Sequence, residues 1–579
     1  MAREPRFTLW LRASLVIAAA WWLWDLAVLG AGVPHPLDDH WEDQIVAEHL
    51  LRGEAFRTRM LYPPLWQFRD PLSRTIPVLV HGPLLPLVTV PALKFLGRDA
   101  LDRLALPVAV VAWLTVIPLF RLGTRHFGPP VGFAAAFLYT CSPLTLEAVH
   151  HSGSVIVGAF CLAWTLNLLA RPRPRPFFGG LWLGVGYLVR PELLVAAPVL
   201  AAFTLWQAHA THRAQRLFEG RRPRLDDVAP DHTGSRPALP PAPEPGMPIS
   251  PMGAALLFVA AFTAGAFPWW LHLQHSTGNP FFNLTSYTLI GYWNGYPGPS
   301  VLQDFSLTPD RWPAVLAEHL PLMTAKWAAF APRALKHLLF TPSGTTGWLA
   351  IVGLIVTLAT TRTEGRSAEE RRLADRGRLA WLALFLVLIP AASMTLTQHQ
   401  RLYVVPFSTL LALGAAAGAA ALGSRMPDWG RRDRLWIGLL ILITVPVSFP
   451  AARAAGQEAR LLEVRLAAER RALKAEFESF GRDSFLGPDI PHRYVPPPVL
   501  FSDSPDFVAW TTGLPTFWSS REAFAELYPP EGPGLAPQFG LPPRDQVEGW
   551  FHDDVRDPTA TGSRVSPHSG PINDRPQAR

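Results

Sequence analysis

The sequence predicts a mainly α-helical, polytopic membrane protein with about eleven transmembrane helices and a small exported α/β unit near its C-terminal end. Three observations predict this fold class. The 579 residues are 49% hydrophobic and only 17% charged, whereas a typical soluble domain carries about 25% charged residues. Apolar segments near the ~20 residues needed to cross a bilayer recur along the chain. Short arginine clusters flank many of these segments, as expected of loops that set membrane orientation.

The predicted spans share an apolar composition and a length close to the bilayer thickness. They lie at 10–31, 104–120, 129–147, 154–170, 177–189, 191–207, 251–271, 345–361, 379–397, 402–422 and 435–452.

A further apolar stretch, 77–96, decides the topology. If it does not cross, the arginine clusters near 121–125, 171–176, 213–224, 362–378 and 425–434 all fall on the cytoplasmic side with the N-terminus. If it crosses, all of them are exported. Its four prolines also disfavour a straight span. We therefore expect a re-entrant or interfacial element, a cytoplasmic N-terminus and an exported C-terminal unit.

This topology divides the chain into a transmembrane domain at 1–453, an exported C-terminal helix with a small α/β unit at 454–552, and a disordered tail at 553–579. Within the first domain, 33–103 is the first exported loop, 208–250 a disordered Pro-rich cytoplasmic loop and 272–343 a long exported loop. In the C-terminal unit, strands are expected at 499–502 and 514–518, with a short helix at 506–512 between them.

Composition also excludes some classes of function. The net charge of +7 is dispersed among clusters beside apolar segments, which is not the pattern of a nucleic-acid-binding surface. Cys141 and Cys161 both lie in apolar segments, so a disulfide framework and a cysteine metal site are excluded. The chain has no Gly-rich phosphate loop or dinucleotide fingerprint.

An acidic stretch follows the first span: DDHWEDQIVAEHLLRG at 38–53. It predicts a helix over about 40–52 that ends at Gly53 and lies on the membrane surface, with Trp41, Ile45, Val46 and Leu50 on one apolar face. As a helix N-cap, Asp39 would form a capping box with the glutamate three residues later. That role leaves Asp38 unexplained, so Asp38 is the candidate for chemistry.

The second exported loop carries TLEAVHHSG at 145–153. Here Glu147, His150 and His151 either meet the Asp38 region across the outer mouth of the protein or mark a polar helix end at the interface. Histidine with carboxylate can also bind a divalent metal, but this spacing is not diagnostic of one.

Two further segments place basic residues on the exported side. In YLVRPELL at 187–194, Arg190 is either a fork for a phosphate oxygen or the partner of Glu192 in a turn ion pair. In QHQRLYVVP at 398–406, His399 and Arg401 stand at the exported start of a span, where positive charge favours a specific anionic partner.

Two weaker candidates complete the set. Asn279, in GNPFF of the long loop, is a possible sugar contact, although its aromatic neighbours fit an interfacial belt. Asp25 lies inside the first span, where an ionisable group is costly unless it lines a polar site.

Together these motifs resemble the GT-C membrane glycosyltransferases, specifically the bacterial branch similar to protein O-mannosyltransferases and the lipid A aminoarabinose transferase. The resemblance covers most of the chain. It rests on the acidic pair before LLRGE, on HGPLLPL with KFLGRDALDRL, and on YLVRPE, HSTGNPFFNLTSY and QHQRLYVVPF. SDSPDFVAWTTGLPTFW at 502–518 also resembles the exported C-terminal unit of some members.

The resemblance implies transfer of a sugar from a polyprenyl-phosphate donor to a lipid, glycan or protein acceptor, on the outer face of the bacterial cytoplasmic (inner) membrane. Asp38 maps onto the family's acidic residue of the first exported loop, with Asp39 beside it. Arg190, Arg401 and His399 would then hold the donor phosphate. Many members have a second acid before the fourth span, but this chain reads HHSGSVIVGAF there, so Glu147, His150 or His151 would substitute. A divalent metal stays an open alternative.

Two other classes of function compete with the enzyme. A transporter or flippase of a lipid-linked or small polar substrate would show two similar halves with interrupted spans, and we find no such repeat. An inactive relative that acts as a scaffold is favoured only by the missing second acid.

Overall fold

The computed structural model describes residues 5–24, 40–62, 65, 68, 75–79, 82–97, 106–219, 249–284, 289–291, 311–340, 346–360, 376–389 and 401–424, with single-residue gaps, and scattered residues beyond 437 that include three strands.

Helices make up most of the described chain, which confirms the mainly α-helical fold class. They are α1 (Pro5–Trp24), α2 (His40–Leu51), α3 (Leu84–Leu96), α4 (Leu106–Phe127), α5 (Pro129–Thr140), α6 (Pro143–His151), α7 (Gly153–Leu169), α8 (Pro176–Tyr187), α9 (Leu193–Glu219), α10 (Pro251–Thr277), α11 (Trp312–Glu318), α12 (Leu320–Phe340), α13 (Thr346–Thr360), α14 (376–389), a 3-10 helix (Arg401–Phe407) and α15 (Ser408–Ser424).

Four stretches of the described helices are long and apolar enough to cross a membrane: Leu106–Phe127, Leu193–Arg213, Pro251–Thr277 and Val404–Ala421. The bent pair α5 and α6 adds a fifth if it forms one span. One of the eleven predicted spans, 435–452, falls largely outside the described residues, and the ends of 10–31 and 379–397 do so too, so the predicted number stays a prediction.

The segment predicted as a span at 129–147 is not one straight helix. The helix breaks after Thr140, and α6 leaves α5 at an angle of 49°. Pro143 causes the break because its ring cannot continue the preceding helix. The Ser142 carbonyl then accepts the N–H groups of Thr145 and Leu146 at 3.0 and 3.1 Å and starts the new helix. The segment predicted as the second exported loop is therefore helical up to residue 151.

Glycines set the closest helix contacts. A Cβ on Gly180 of α8 would lie 2.1 Å from the Phe258 carbonyl oxygen of α10, and one on Gly184 would lie 2.4 Å from that of Phe262. Gly353 of α13 approaches the Gly414 carbonyl of α15 in the same way, at 2.2 Å. Helices in lipid associate through such small residues because the bilayer supplies no hydrophobic force between them.

The segment that decides the topology forms the 13-residue helix α3. Such a helix is ~20 Å long, which is short of the ~30 Å hydrocarbon core. It packs against α2, α4 and α7. Its length supports the prediction that 77–96 does not cross.

Short strands join distant parts of the chain. β1 (Arg57–Thr58) pairs antiparallel with β3 (Ile76–Pro77). A parallel sheet has the order β2-β5-β4-β6, from β2 (Met60–Leu61), β5 (Thr516–Trp518), β4 (Val499–Ser502) and β6 (Val547–Trp550).

β4 and β5 lie where strands were predicted, whereas β6 was not predicted. Most of the predicted helix at 506–512 lies outside the described residues. Because β2 belongs to the first loop, the sheet requires this loop and the C-terminal strands to lie on the same side of the membrane, as the predicted topology has them.

Candidate active site

The acidic stretch forms helix α2 as predicted, and its end is a Schellman motif. The N–H of Glu54 donates to the His49 carbonyl at 2.9 Å, and that of Gly53 donates to Leu50 at 3.1 Å. Gly53 has φ +73°, a conformation that glycine adopts without strain. The predicted glycine stop is confirmed.

The prediction of a surface helix with one apolar face is wrong. Every described side chain from Glu42 to Ala47 is buried, including those of Asp43 and Gln44. The cause lies in tertiary structure, since β1 and α3 pack against this helix. α2 therefore carries buried polar groups into the protein.

The buried carboxylate of Glu42 is 2% exposed. It accepts a hydrogen bond from the Tyr62 hydroxyl at 2.9 Å. A buried carboxylate needs such donors to remain charged at low cost.

Basic groups neutralise the other end of α2. Arg52 and Arg59 donate to the two carboxylate oxygens of Glu48, at 2.5 and 3.3 Å. The imidazole of His49 contacts the Glu54 carboxylate. Burial, aided by the Arg59 charge, lowers the pKa of His49 below its usual value despite this acidic neighbour. The backbone carbonyl of Arg59 also accepts the N–H of Thr516 at 2.8 Å, which ties the helix to the C-terminal sheet.

Arg190 lies at the break between α8 and α9 and is only 7% exposed. Its Nε donates to Glu192 Oε1 at 2.7 Å, and its Nη2 contacts the same oxygen. Its Nη1 donates to the Ser154 hydroxyl at the start of α7, at 3.2 Å. The predicted turn ion pair is present, with Arg190 buried and Glu192 mostly so.

Two glycines bring other segments to this arginine. A Cβ on Gly158 of α7 would lie 2.9 Å from Arg190 Cγ and 3.8 Å from Pro406 Cγ of the 3-10 helix. A Cβ on Gly82, just before α3, would lie 1.8 Å from the Leu188 carbonyl oxygen. The first loop, the arginine turn and the 401–407 segment therefore meet at one end of the helices, which we call the site end.

Helix α6 belongs to the same end, because it packs against α7 and the 3-10 helix. His150 is buried and Glu147 is half-buried on this helix. Both side chains have interaction partners. The break at Pro143 thus turns the TLEAVHH segment towards the helices that carry Arg190 and Arg401.

The long loop also begins at the site end. Trp270 of α10 donates to the Tyr187 hydroxyl at 3.1 Å, and His272 contacts the Val78 carbonyl at 3.0 Å. Gly278 ends α10 at φ +75°. Asn279 Oδ1 then accepts the Phe281 N–H at 3.0 Å, which makes a turn. This contact gives Asn279 a structural role in GNPFF.

Later in this loop, α12 packs against the 3-10 helix. Lys326 of α12 is fully buried and donates to the carbonyls of Leu289 and Gly291, at 3.2 and 2.5 Å. Burial lowers the pKa of Lys326 to about 8. This lysine holds residues 289–291 against the helix.

Several predicted site residues fall outside the described part of the chain. Asp38 and Asp39 directly precede the first residue of α2, and neither they nor Asp25 and His399 are described. For His151 and Arg401 only the backbone is described, at the end of α6 and the start of the 3-10 helix. The described residues contain no group of three or more His, Cys, Asp or Glu side chains suited to a metal.

Sequence reasoning missed three contributors to the site end. Tyr62 lies 20 residues from its partner Glu42, and Ser154 lies 36 residues from Arg190, so no local pattern relates them. Gly82 stands in the HGP segment, and a glycine between a histidine and a proline was the only signal of a close backbone approach.

The family model described as dolichyl-phosphate-mannose-protein mannosyltransferase matches residues 80–218, which include Gly82, α6, Ser154 and Arg190. The match confirms the resemblance to GT-C membrane glycosyltransferases. A search of curated protein sequences finds no significant match.

Solved structures with a related arrangement share little sequence with this chain. One is the oligosaccharyltransferase AglB from Archaeoglobus fulgidus, in complex with an inhibitory peptide and a dolichol-phosphate. It is 12% identical to this chain with a TM-score of 0.47, and the match covers 90% of this chain and 65% of the AglB chain. ArnT from Cupriavidus metallidurans, bound to undecaprenyl phosphate, is 14% identical with a TM-score of 0.46, over 92% and 90%. The chain thus spans about two thirds of the length of the archaeal protein.

Proposed function

We propose that this protein is a membrane glycosyltransferase that moves a sugar from a polyprenyl-phosphate donor to a lipid, glycan or protein acceptor at the outer face of the cytoplasmic membrane. The observation that carries the proposal is the position of Arg190. A buried, oriented guanidinium lies at a helix break, where the first loop, α6 and the 401–407 segment converge. The family match over residues 80–218 supports the same reaction class.

The proposed reaction needs one base and one cationic site. The oxygen of the acceptor hydroxyl forms a bond to the anomeric carbon of the sugar. The bond from that carbon to the lipid phosphate breaks, and the phosphate leaves with the electron pair. The acceptor proton passes to the carboxylate of Asp38, and Asp39 supports this group as the N-cap of α2.

Arginines stabilise the phosphate that leaves. Glu192 and Ser154 orient the guanidinium of Arg190, so little reorganisation accompanies the growth of charge on the phosphate. Arg401 and His399 contribute from the neighbouring segment, since 401–407 packs on α7. One of Glu147, His150 or His151 on α6 supplies the second polar group, which orients the acceptor.

The test uses purified full-length protein with radiolabelled polyprenyl-phosphate sugars and a membrane extract as acceptor. Asp38→Asn and Arg401→Ala should each abolish transfer while membrane insertion stays normal. Glu318→Gln and Arg311→Ala are the matched controls, because both residues are exposed on or beside α11, and they should keep full transfer.

Each competing function has its own result. If the Asp38→Asn variant keeps full transfer, the proposed mechanism is wrong. Movement of the lipid-linked sugar across vesicles without transfer would indicate a flippase. Neither transfer nor movement in the wild-type protein would favour a scaffold.

A further inference from the structure

The end of the helices opposite Arg190 holds a second group of arginines. Ser154 at the start of α7 contacts Arg190, and Asn167 lies near the end of the same helix. Thirteen residues of α-helix span ~20 Å. Arg125 and Arg171 contact Asn167 there, Arg121 lies over the neighbouring Trp164 ring, and all three are far from the proposed transfer site. We call these three residues the arginine cluster.

The partners of the arginine cluster are all neutral. Arg125 donates to the backbone carbonyl and the side-chain oxygen of Asn167, at 3.0 and 3.1 Å. Arg171 donates to the same carbonyl at 3.2 Å. The Arg121 guanidinium lies 5.9 Å from the ring centroid of Trp164. In the described part of the chain, no carboxylate pairs with any of the three.

The cluster therefore has a surplus of positive charge and of donors. Its three guanidinium groups are close enough to repel one another. The Nδ2 of Asn167 is buried and meets no acceptor among the described residues. An anion would supply both the missing charge and the missing acceptors.

The surface beside the cluster suits an acyl chain. Trp164 of α7 and Trp182 of α8 are stacked, with ring centroids 6.3 Å apart, and both are partly exposed. Phe177 and Phe178 at the start of α8 are 43% and 51% exposed. Charge next to an apolar aromatic surface matches a lipid with an anionic headgroup.

We propose that the arginine cluster binds the phosphate headgroup of an anionic phospholipid, whose acyl chain lies along the aromatic surface of α7 and α8. The phosphate oxygens accept hydrogen bonds from the guanidinium groups. The site lies on the membrane face opposite the proposed transfer site and does not depend on transfer.

The test is native mass spectrometry of the delipidated full-length protein in detergent, titrated with phosphatidylglycerol or with phosphatidylcholine of the same acyl chains. Phosphatidylglycerol should bind about tenfold more tightly, and added salt should weaken only its binding. Equal affinities for the two lipids would overturn the proposal without any variant.

Variants locate the site. Arg121→Gln removes a charge whose contact within the described part of the chain is the Trp164 ring, so folding should survive, and it should weaken phosphatidylglycerol binding about fivefold. Arg213→Gln is the matched control, since Arg213 is exposed and lies 20 residues beyond the start of α9 at the same end. An equal loss in both variants would mean diffuse attraction and overturn the site.

A third experiment distinguishes a bound lipid from a bound free anion. Millimolar inorganic phosphate should leave phosphatidylglycerol bound, because the acyl chain holds part of the affinity. Complete displacement by phosphate would overturn the phospholipid assignment. Transfer by Arg121→Gln should match that of the wild-type protein, so failure of one proposal does not imply failure of the other.

Discussion

Arginines at the two ends of the helices have different kinds of partner. At the site end, Arg190 pairs with Glu192, and Arg52 and Arg59 pair with Glu48. In the arginine cluster at the other end, the partners are carbonyl groups, an amide and an indole ring. Paired charges hold a side chain in one orientation, whereas an unpaired cluster keeps its attraction for an external anion. At the site end, pairing thus fixes the orientation of Arg190, whose charge we propose to stabilise the donor phosphate, whereas the arginine cluster has only neutral partners among the described residues.

Removal of the ion pair at the site end should have the largest effect. Arg190→Ala leaves the nearly buried Glu192 carboxylate unpaired, which should cost about 3 kcal/mol of stability and abolish transfer. In the double variant with Glu192→Gln, most of the stability should return but transfer should not. Thermal unfolding and the radiolabelled assay measure the two effects. Restored transfer in the double variant would show that Arg190 acts only on folding.

A smaller effect is expected from filling the backbone contact between the first loop and the arginine turn. Gly82→Ala places a methyl group where the Leu188 carbonyl lies, so the two segments must separate at a cost of about 1–3 kcal/mol. Transfer should fall because the first loop moves away from Arg190.

Substitutions at two other glycines provide comparisons for Gly82→Ala. The nearest atoms that the new methyl group of Gly158→Ala meets belong to side chains, with Arg190 Cγ at 2.9 Å and Pro406 Cγ at 3.8 Å, so this variant should lower transfer less. Gly438→Ala meets nothing within 4 Å and should behave as the wild-type protein does. If all three variants keep full transfer, the contact between the two segments has no functional role.

The smallest effect concerns pH at the site end. Because the pKa of folded His49 lies below its unfolded value near 6.5, the unfolded chain binds a proton more readily than the folded chain. Stability should therefore be full above about pH 6.5 and fall as the pH drops below it. Unfolding temperatures between pH 7.5 and 5 should show this slope, and His49→Gln should flatten it. If the slope is unchanged in His49→Gln, the pH dependence of stability comes from other groups.

The sequence by itself determined the elements whose signals are local. Apolar length predicted membrane-crossing helices, and Gly53 predicted the end of α2 because few other residues tolerate a positive φ. Local patterns predicted strands at 499–502 and 514–518, and the structure has them at Val499–Ser502 and Thr516–Trp518. The resemblance of short motifs to GT-C glycosyltransferases was also available without coordinates, and the family match confirms it.

Only the tertiary structure decided what surrounds each element. It enclosed the acidic helix α2, bent the chain at Pro143, and paired β2 with β5 across more than 400 residues of sequence. It also distinguished Arg190, held by Glu192, from Arg125, whose partners among the described residues are neutral. The physical reason is that burial and pairing depend on groups far away in the sequence, and local periodicity carries no information about them.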